Sequence, residues 1–242
     1  MIKIENIKKK FNGHFVLDGI SLTINEGETV AVIGPSGCGK STLLKLINRL
    51  EEPTSGKIII DGQNIFNLSE DELVKFRQKI GMVFQSSALF DSLSVFENVA
   101  FALREHTQLN EREINKIVLK KMELVDLLGK ENMMPSELSG GMQKRVSVAR
   151  AIAINPKIIL YDEPTTGLDP ITSVTIENLI NKLAKELKVT SIVVTHQLST
   201  IFRTANRIIM LDNGKFIESG TPEKTKESNN PIIKTFINSG VW

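Results

Sequence analysis

The chain has 242 residues, of which 41% are hydrophobic and 24% charged, and its net charge is +2. That length can bury one sizeable core with a subdomain, or two small domains, and so weak a net charge gives no field that points to nucleic acid. No apolar run approaches the ~18 to 20 residues that cross a bilayer, the longest being Val99 to Leu103, and the start lacks a signal-peptide pattern, so the chain itself is expected in the cytoplasm. The single cysteine, Cys38, cannot close an internal disulfide and fits a reducing compartment.

In chain order, Ile2 to Ile7 and Phe15 to Ile24 read as strands of a small antiparallel sheet, which Lys57 to Ile60 joins. Thr29 to Ile33, Ile158 to Tyr161 and Ser191 to Val194 are short, almost continuously apolar and β-branched, as strands of a parallel sheet covered on both faces must be. Ser69 with Glu72, and Asn110 with Glu113, have the spacing of helix starts. After the second start, Ile114, Ile117, Val118, Val125 and Leu128 recur at helical spacing, which predicts a helix reaching Leu128. Gly140 onward, with Val146, Ala149 and Ala153, reads as a helix ending before Pro156, and a further amphipathic helix follows Pro170. The expected organisation is an α/β core with a small β subdomain over 1–87 and 158–226, a helical insert over 88–157, and a tail over 227–242 that either docks on a neighbour or frays.

Two glycine motifs carry the chemistry. Gly34-Pro35-Ser36-Gly37-Cys38-Gly39-Lys40-Ser41 has the G-x-x-x-x-G-K-S form, whose backbone N–H groups surround phosphate oxygens while Lys40 adds a charge and Ser41 a hydroxyl for magnesium. Much later, Leu138-Ser139-Gly140-Gly141-Met142 opens a helix and offers a second set of N–H groups to a phosphate. Each buried strand ends at polar residues, namely Gly34, the pair Asp162-Glu163, and Thr195-His196, as ligand sites of α/β sheets do. Asp162 suits a magnesium ligand beside Ser41, and Glu163 then stands where a carboxylate orients or deprotonates an attacking water. His196 is placed for a hydrogen bond to a terminal phosphate. Gln85, after Ile80 to Phe84, is either a ligand of the metal or attacking water or a solvent-facing turn residue. Phe11 either stacks on a base or ends a core strand, and Asp169 sits in a turn. Cys38 lies inside the phosphate loop at a helix N-terminus, where a thiol pKa tends to fall, but a spacer whose side chain does nothing is the favoured reading.

Taken in order, these elements resemble the nucleotide-binding subunit of ATP-binding cassette (ABC) transporters over practically the whole chain. The matching stretches are the phosphate loop through Thr42, Gln85 of the Q-loop, LSGGM at 138 to 142, ILYDE at 159 to 163, GLD at 167 to 169 and His196 of the switch. The resemblance implies a P-loop NTPase (RecA-like) core, with ATP and Mg2+ as cofactors. It implies that Gly34, Ser36, Gly37, Cys38, Gly39, Lys40, Ser41 and Thr42 hold phosphate and magnesium, that Phe11 stacks adenine, and that Asp169 belongs to the nucleotide site. Glu163 would be the catalytic base, assisted by His196 and Gln85. Ser139, Gly140 and Gly141 would complete the site of a second copy of the chain, so that a two-fold dimer encloses two ATP molecules.

The substrate is approached through finer likeness. Phe96 to Phe101, Leu103 to Thr107, Met134 to Leu138, Asp162 to Ile171 and Phe236 to Gly240 resemble the Mla-type ATPases that energise phospholipid movement between bacterial membranes. Met142 at the fifth signature position, where most ABC subunits carry Gln, follows the same variation. This implies transmembrane permease subunits fed through the Phe-rich segment from Ala88 to Phe101, with MCE-domain and small STAS-domain partners, on the cytoplasmic face of the inner membrane. An ATPase of an amino-acid or methionine importer shares the core motifs and is the alternative. A soluble ribosome- or DNA-acting ABC protein lacks support, because neither a second cassette nor a large insertion is present, and retention of Lys40, Glu163 and His196 argues against a non-hydrolysing sensor.

Overall fold

The computed structural model describes residues 1–239. Its strands and helices run in the order β1 (Ile2–Phe11), β2 (His14–Ile24), β3 (Thr29–Ile33), α1 (Lys40–Ile47), β4 (Ser55–Ile60), β5 (Gln63–Asn64), α2 (Glu70–Arg77), β6 (Ile80–Val83), α3 (Val95–His106), α4 (Glu111–Leu124) and α5 (Gly140–Ala151). Then follow β7 (Ile158–Asp162), α6 (Pro170–Leu187), β8 (Thr190–Val194), α7 (Leu198–Thr204), β9 (Arg207–Asp212), β10 (Lys215–Gly220), α8 (Pro222–Lys226) and α9 (Pro231–Ser239).

Side-chain alternation explains how one sheet sits between two layers. Strands β3, β7 and β8 are buried at every residue. Ile158 and Leu160 of β7 face one cluster while Ile159 and Tyr161 face another, and in β8 Ile192 and Val194 oppose Val193. On the first side lie α1, through Leu43, Leu44, Leu46 and Ile47, and the small sheet ordered β2-β1-β4-β5, through Ile4, Ile20 and Ile58. On the second lie α3, α4, α5 and α6. Each fully buried Ile, Leu or Val contributes roughly 1.5 to 3 kcal/mol, so this two-sided burial is a main source of the sheet's stability.

The large sheet runs β10-β9-β3-β8-β7-β6, parallel throughout except for β10. Strands β3, β8, β7 and β6 are therefore consecutive neighbours, and their carboxyl ends carry Gly34, Thr195-His196, Asp162-Glu163 and Gln85 in that order. The convergence expected from sequence is realised, with β9 and β10 added on the far edge of β3.

Helix starts follow the capping chemistry. Ser69 and Asn110 both close reciprocal capping boxes, with Glu72 and Glu113. The expected continuation of α4 to Leu128 is corrected: the helix stops at Leu124, Asp126 turns left-handed at φ 54°, and Leu128 is 53% exposed. Val125 and Leu127 are buried just past the helix end instead, so the apolar spacing outlives the helix. Over its described part the tail carries a helix that packs on its own chain. Helix α9 lays Ile233 against Ile33, Ile201 and Met210 of its own chain. Gly240 and Trp242 lie outside the described residues.

Candidate nucleotide site

Local geometry begins at Gly34, directly after β3. Its φ of 151° lies in the region that disfavours side chains, and a Cβ there would meet the Leu211 carbonyl oxygen at 2.2 Å. Gly39 at φ 105° crowds Val16 in the same way. The chain can therefore turn tightly from strand into α1 and present its backbone to a ligand only with glycine at these positions. Lys40 is 6% exposed, and its ammonium donates to the carbonyl oxygens of Gly34 at 2.8 Å and Pro35 at 2.9 Å.

The pocket above the loop has a volume of about 440 Å³. Gly34, Ser36, Gly37, Gly39, Lys40, Ser41 and Thr42 line it together with Gln85, Glu163 and His196. Phe236 of α9 also reaches it.

At the metal side, the Ser41 hydroxyl donates to Asp162 Oδ1 at 2.8 Å. Burial holds the Asp162 carboxyl above its ordinary range, opposed by the Ser41 hydrogen bond. A buried carboxylate in contact with a hydroxyl is a hard oxygen pair that a divalent cation satisfies, so the residues fit Mg2+. Exposed Gln85 extends from the end of β6 beside them.

Glu163 is the most constrained carboxylate of the site. Its backbone is left-handed at φ 48°, a strained conformation for glutamate, and its N–H donates to the Val194 carbonyl oxygen at 2.9 Å. One oxygen, Oε2, accepts from Thr166 at 2.9 Å and Thr195 at 3.0 Å, while Oε1 lies 3.0 Å from His196 Nδ1. Thr195 was read from sequence only as a polar strand end before His196, and Thr166 was not read at all; neither was expected to hold Glu163. Together they aim one carboxylate oxygen and leave the other to His196.

Other expected residues fall elsewhere. Cys38 does not line the pocket; it packs against the core, and burial pushes its thiol up, opposite to the fall expected from a helix N-terminus. Phe11 is 42% exposed at the β1–β2 hairpin, with Lys9 Nζ 4.7 Å above its ring, and stands outside the pocket wall. Asp169 caps α6: Oδ1 accepts from the N–H groups of Ile171 and Thr172, both at 3.0 Å, and the Thr172 hydroxyl donates to Oδ2. That hydroxyl is the main cause that lowers the Asp169 pKa.

The second glycine motif is also remote from the pocket of its own chain. Ser139 and Gly140 are exposed at the start of α5, where the Ser139 hydroxyl accepts from Met142 N–H at 3.3 Å. A Cβ on Gly141 would come within 2.3 Å of Thr172 Cγ2, so glycine lets the helix start approach α6 closely. Met142 packs into the helical-layer core.

Comparison with known proteins agrees with this arrangement. The model of the ABC transporter family matches residues 17–166. The chain is 44% identical over 237 residues to the Haemophilus influenzae intermembrane phospholipid transport system ATP-binding protein MlaF, covering 98% of this chain and 90% of the relative. It is also 44% identical to the methionine import ATP-binding protein MetN of Carboxydothermus hydrogenoformans, covering 99% and 72%. The dimeric, post-hydrolysis structure of the ATP-binding cassette MJ0796 bound to ADP and Pi superposes with a TM-score of 0.82 at 39% identity, covering 90% of this chain and 98% of the other. Motif order, sheet order, family match and relatives coincide: this chain belongs to the ABC transporter family.

Proposed function

We propose that this chain is the ATP-hydrolysing subunit of a transporter that moves phospholipid between membranes, working as a two-fold dimer beneath transmembrane partners. The observation that carries the reading is the split between two half-sites. Phosphate loop, Glu163, His196 and Gln85 share one pocket, with Asp162 hydrogen-bonded to Ser41 of its wall, while Ser139 and Gly140 of the same chain face solvent at the start of another helix. A head-to-tail pair supplies each pocket with the missing N–H groups.

In this mechanism Lys40 and the loop amides bind the β- and γ-phosphates, and Phe11 stacks on adenine. Ser41 and Asp162, with Gln85, would hold Mg2+, which would neutralise charge on the phosphates. Glu163, held by Thr166 and Thr195, takes a proton from the attacking water, and His196 donates toward the γ-phosphate. Loss of that phosphate removes the contacts joining the two chains, and they separate.

Separation reaches the membrane partner through a groove of about 550 Å³ lined by Arg77, Phe84, Ala88, Phe90, His106 and Arg150. The half-exposed rings of Phe90 and Phe101 stand 4.9 Å apart beside it. The likeness to the MlaF relative and the departure at Met142 support lipid as cargo. They also support a place on the cytoplasmic face of the inner membrane, with MCE-domain and STAS-domain proteins in the assembly. Purifying the chain with its native membrane complex and identifying the permease and bound lipid tests the reading. Phospholipid with an MCE-domain protein is expected, and a methionine permease without either overturns it in favour of the importer.

A further inference from the structure

Helix α5 begins at the solvent-facing signature and carries three cations that nothing in the phosphate chemistry uses; Arg145 donates to the carbonyl oxygens of Val125 and Asp126, and the other two reach the segment after β6. Lys144 is 4% exposed, and its ammonium donates to the carbonyl oxygens of Gln85 and, at 3.1 Å, of Phe84. Arg150 donates through Nη1 to the Ala88 carbonyl oxygen at 2.6 Å and through Nη2 to that of Ser87 at 3.0 Å. The same guanidinium lies 5.8 Å from the centre of the Phe90 ring. Four carbonyl oxygens of the segment joining β6 to the groove are thus held by one helix.

The segment needs holding. Ser87 and Ala88 are both left-handed, at φ 62° and 49°, and neither is glycine. A left-handed backbone is unfavourable for a residue with a Cβ, and charge-assisted hydrogen bonds to the carbonyls of Ser87 and Ala88 oppose that cost. The helix is also seated directly on β6: a Cβ at Gly81 would meet the Ala151 carbonyl oxygen at 2.5 Å. Displacement of α5 therefore has no slack to absorb before it reaches residues 84–88.

We propose that Lys144 and Arg150 are positioning residues that clamp the 84–88 segment to α5, so that engagement of a nucleotide at the signature resets Gln85 and the groove wall as one body. The inference rests on the dimer reading above, because it is the partner's nucleotide that engages the signature. It adds the physical link by which the phosphate end of α5 and the membrane-facing groove move together. Phe84, Ala88, Phe90 and Arg150 all line that groove, so the clamp ends where a permease element would press.

Hydrogen–deuterium exchange on the full chain with Glu163→Gln, with and without Mg-ATP, tests this. With Lys144 and Arg150 intact, ATP is expected to slow exchange in both 138–142 and 84–90. Adding Lys144→Met, or separately Arg150→Met, should keep the response at 138–142 and abolish it at 84–90, while Lys144→Arg restores it. Kinetically, Lys144→Met with Glu163 retained should lower kcat about tenfold while KM for ATP stays within about twofold. If either methionine variant keeps the full response at 84–90, or if Lys144→Arg behaves like Lys144→Met, the clamp is wrong. If 138–142 shows no response even with both cations intact, the dimer reading itself fails, which distinguishes the two.

Discussion

Glu163 illustrates how a residue's role depends on what surrounds it. A glutamate after an apolar strand is a common sequence event, but here the backbone is strained and three side chains converge on its two oxygens. Removing the carboxylate charge while keeping its shape should isolate the proton-transfer step. Glu163→Gln is expected to bind ATP normally and to lose ~10² to 10⁴ in turnover as a general base would, measured by phosphate release; unchanged turnover would remove Glu163 from that role. Asp162 makes a different prediction. Its charge is buried and held by one hydroxyl, so it costs stability until a cation arrives. Asp162→Asn should raise the Tm in metal-free buffer and cancel the further rise that Mg-ATP gives the unsubstituted chain. A lower Tm in metal-free buffer would contradict the account. At this scale the motif residues were legible because phosphate and magnesium chemistry restrict residue type and spacing. Thr166, Lys144 and Arg150 were not legible, since their partners are carboxylate or carbonyl oxygens that only the fold brings near.

Elements follow the same division. Helix starts at Ser69 and Asn110 and the three central strands were readable, because capping and two-sided burial are local demands. The end of α4 was not, because Val125 and Leu127 remain buried after the backbone has left the helix, and burial alone does not report backbone direction. Strands β9 and β10 passed unread for a different reason. The run Ile208 to Leu211 is as apolar as its neighbours, yet no motif at its end drew notice. The tail is the element whose place sequence left most open. With Ile233 1% exposed against Ile201 and Met210, α9 is part of the folded unit. Deleting residues 231–242 should lower the Tm by ~2 to 4 °C for each kcal/mol of lost burial, a cost of roughly 1.5 to 3 kcal/mol if Ile233 dominates. An unchanged Tm by calorimetry would show that α9 adds nothing to the fold.

At the scale of the whole molecule, the two glycine motifs of one chain do not meet. The pocket collects four neighbouring strand ends, whereas Ser139 and Gly140 are exposed at the head of α5. On the proposed reading one chain holds halves of two different sites, and symmetry supplies the rest. The most direct test mixes two inactive variants, Lys40→Ala and Ser139→Arg, and follows single-turnover ATP hydrolysis. Each homodimer lacks both sites. A mixed dimer pairs the intact phosphate loop of one chain with the intact signature of the other, so the mixture should recover about a quarter of the unsubstituted activity, half the dimers each with one of two sites. If the mixture stays as inactive as its components while mixed dimers form, each chain completes its own site and the account is contradicted.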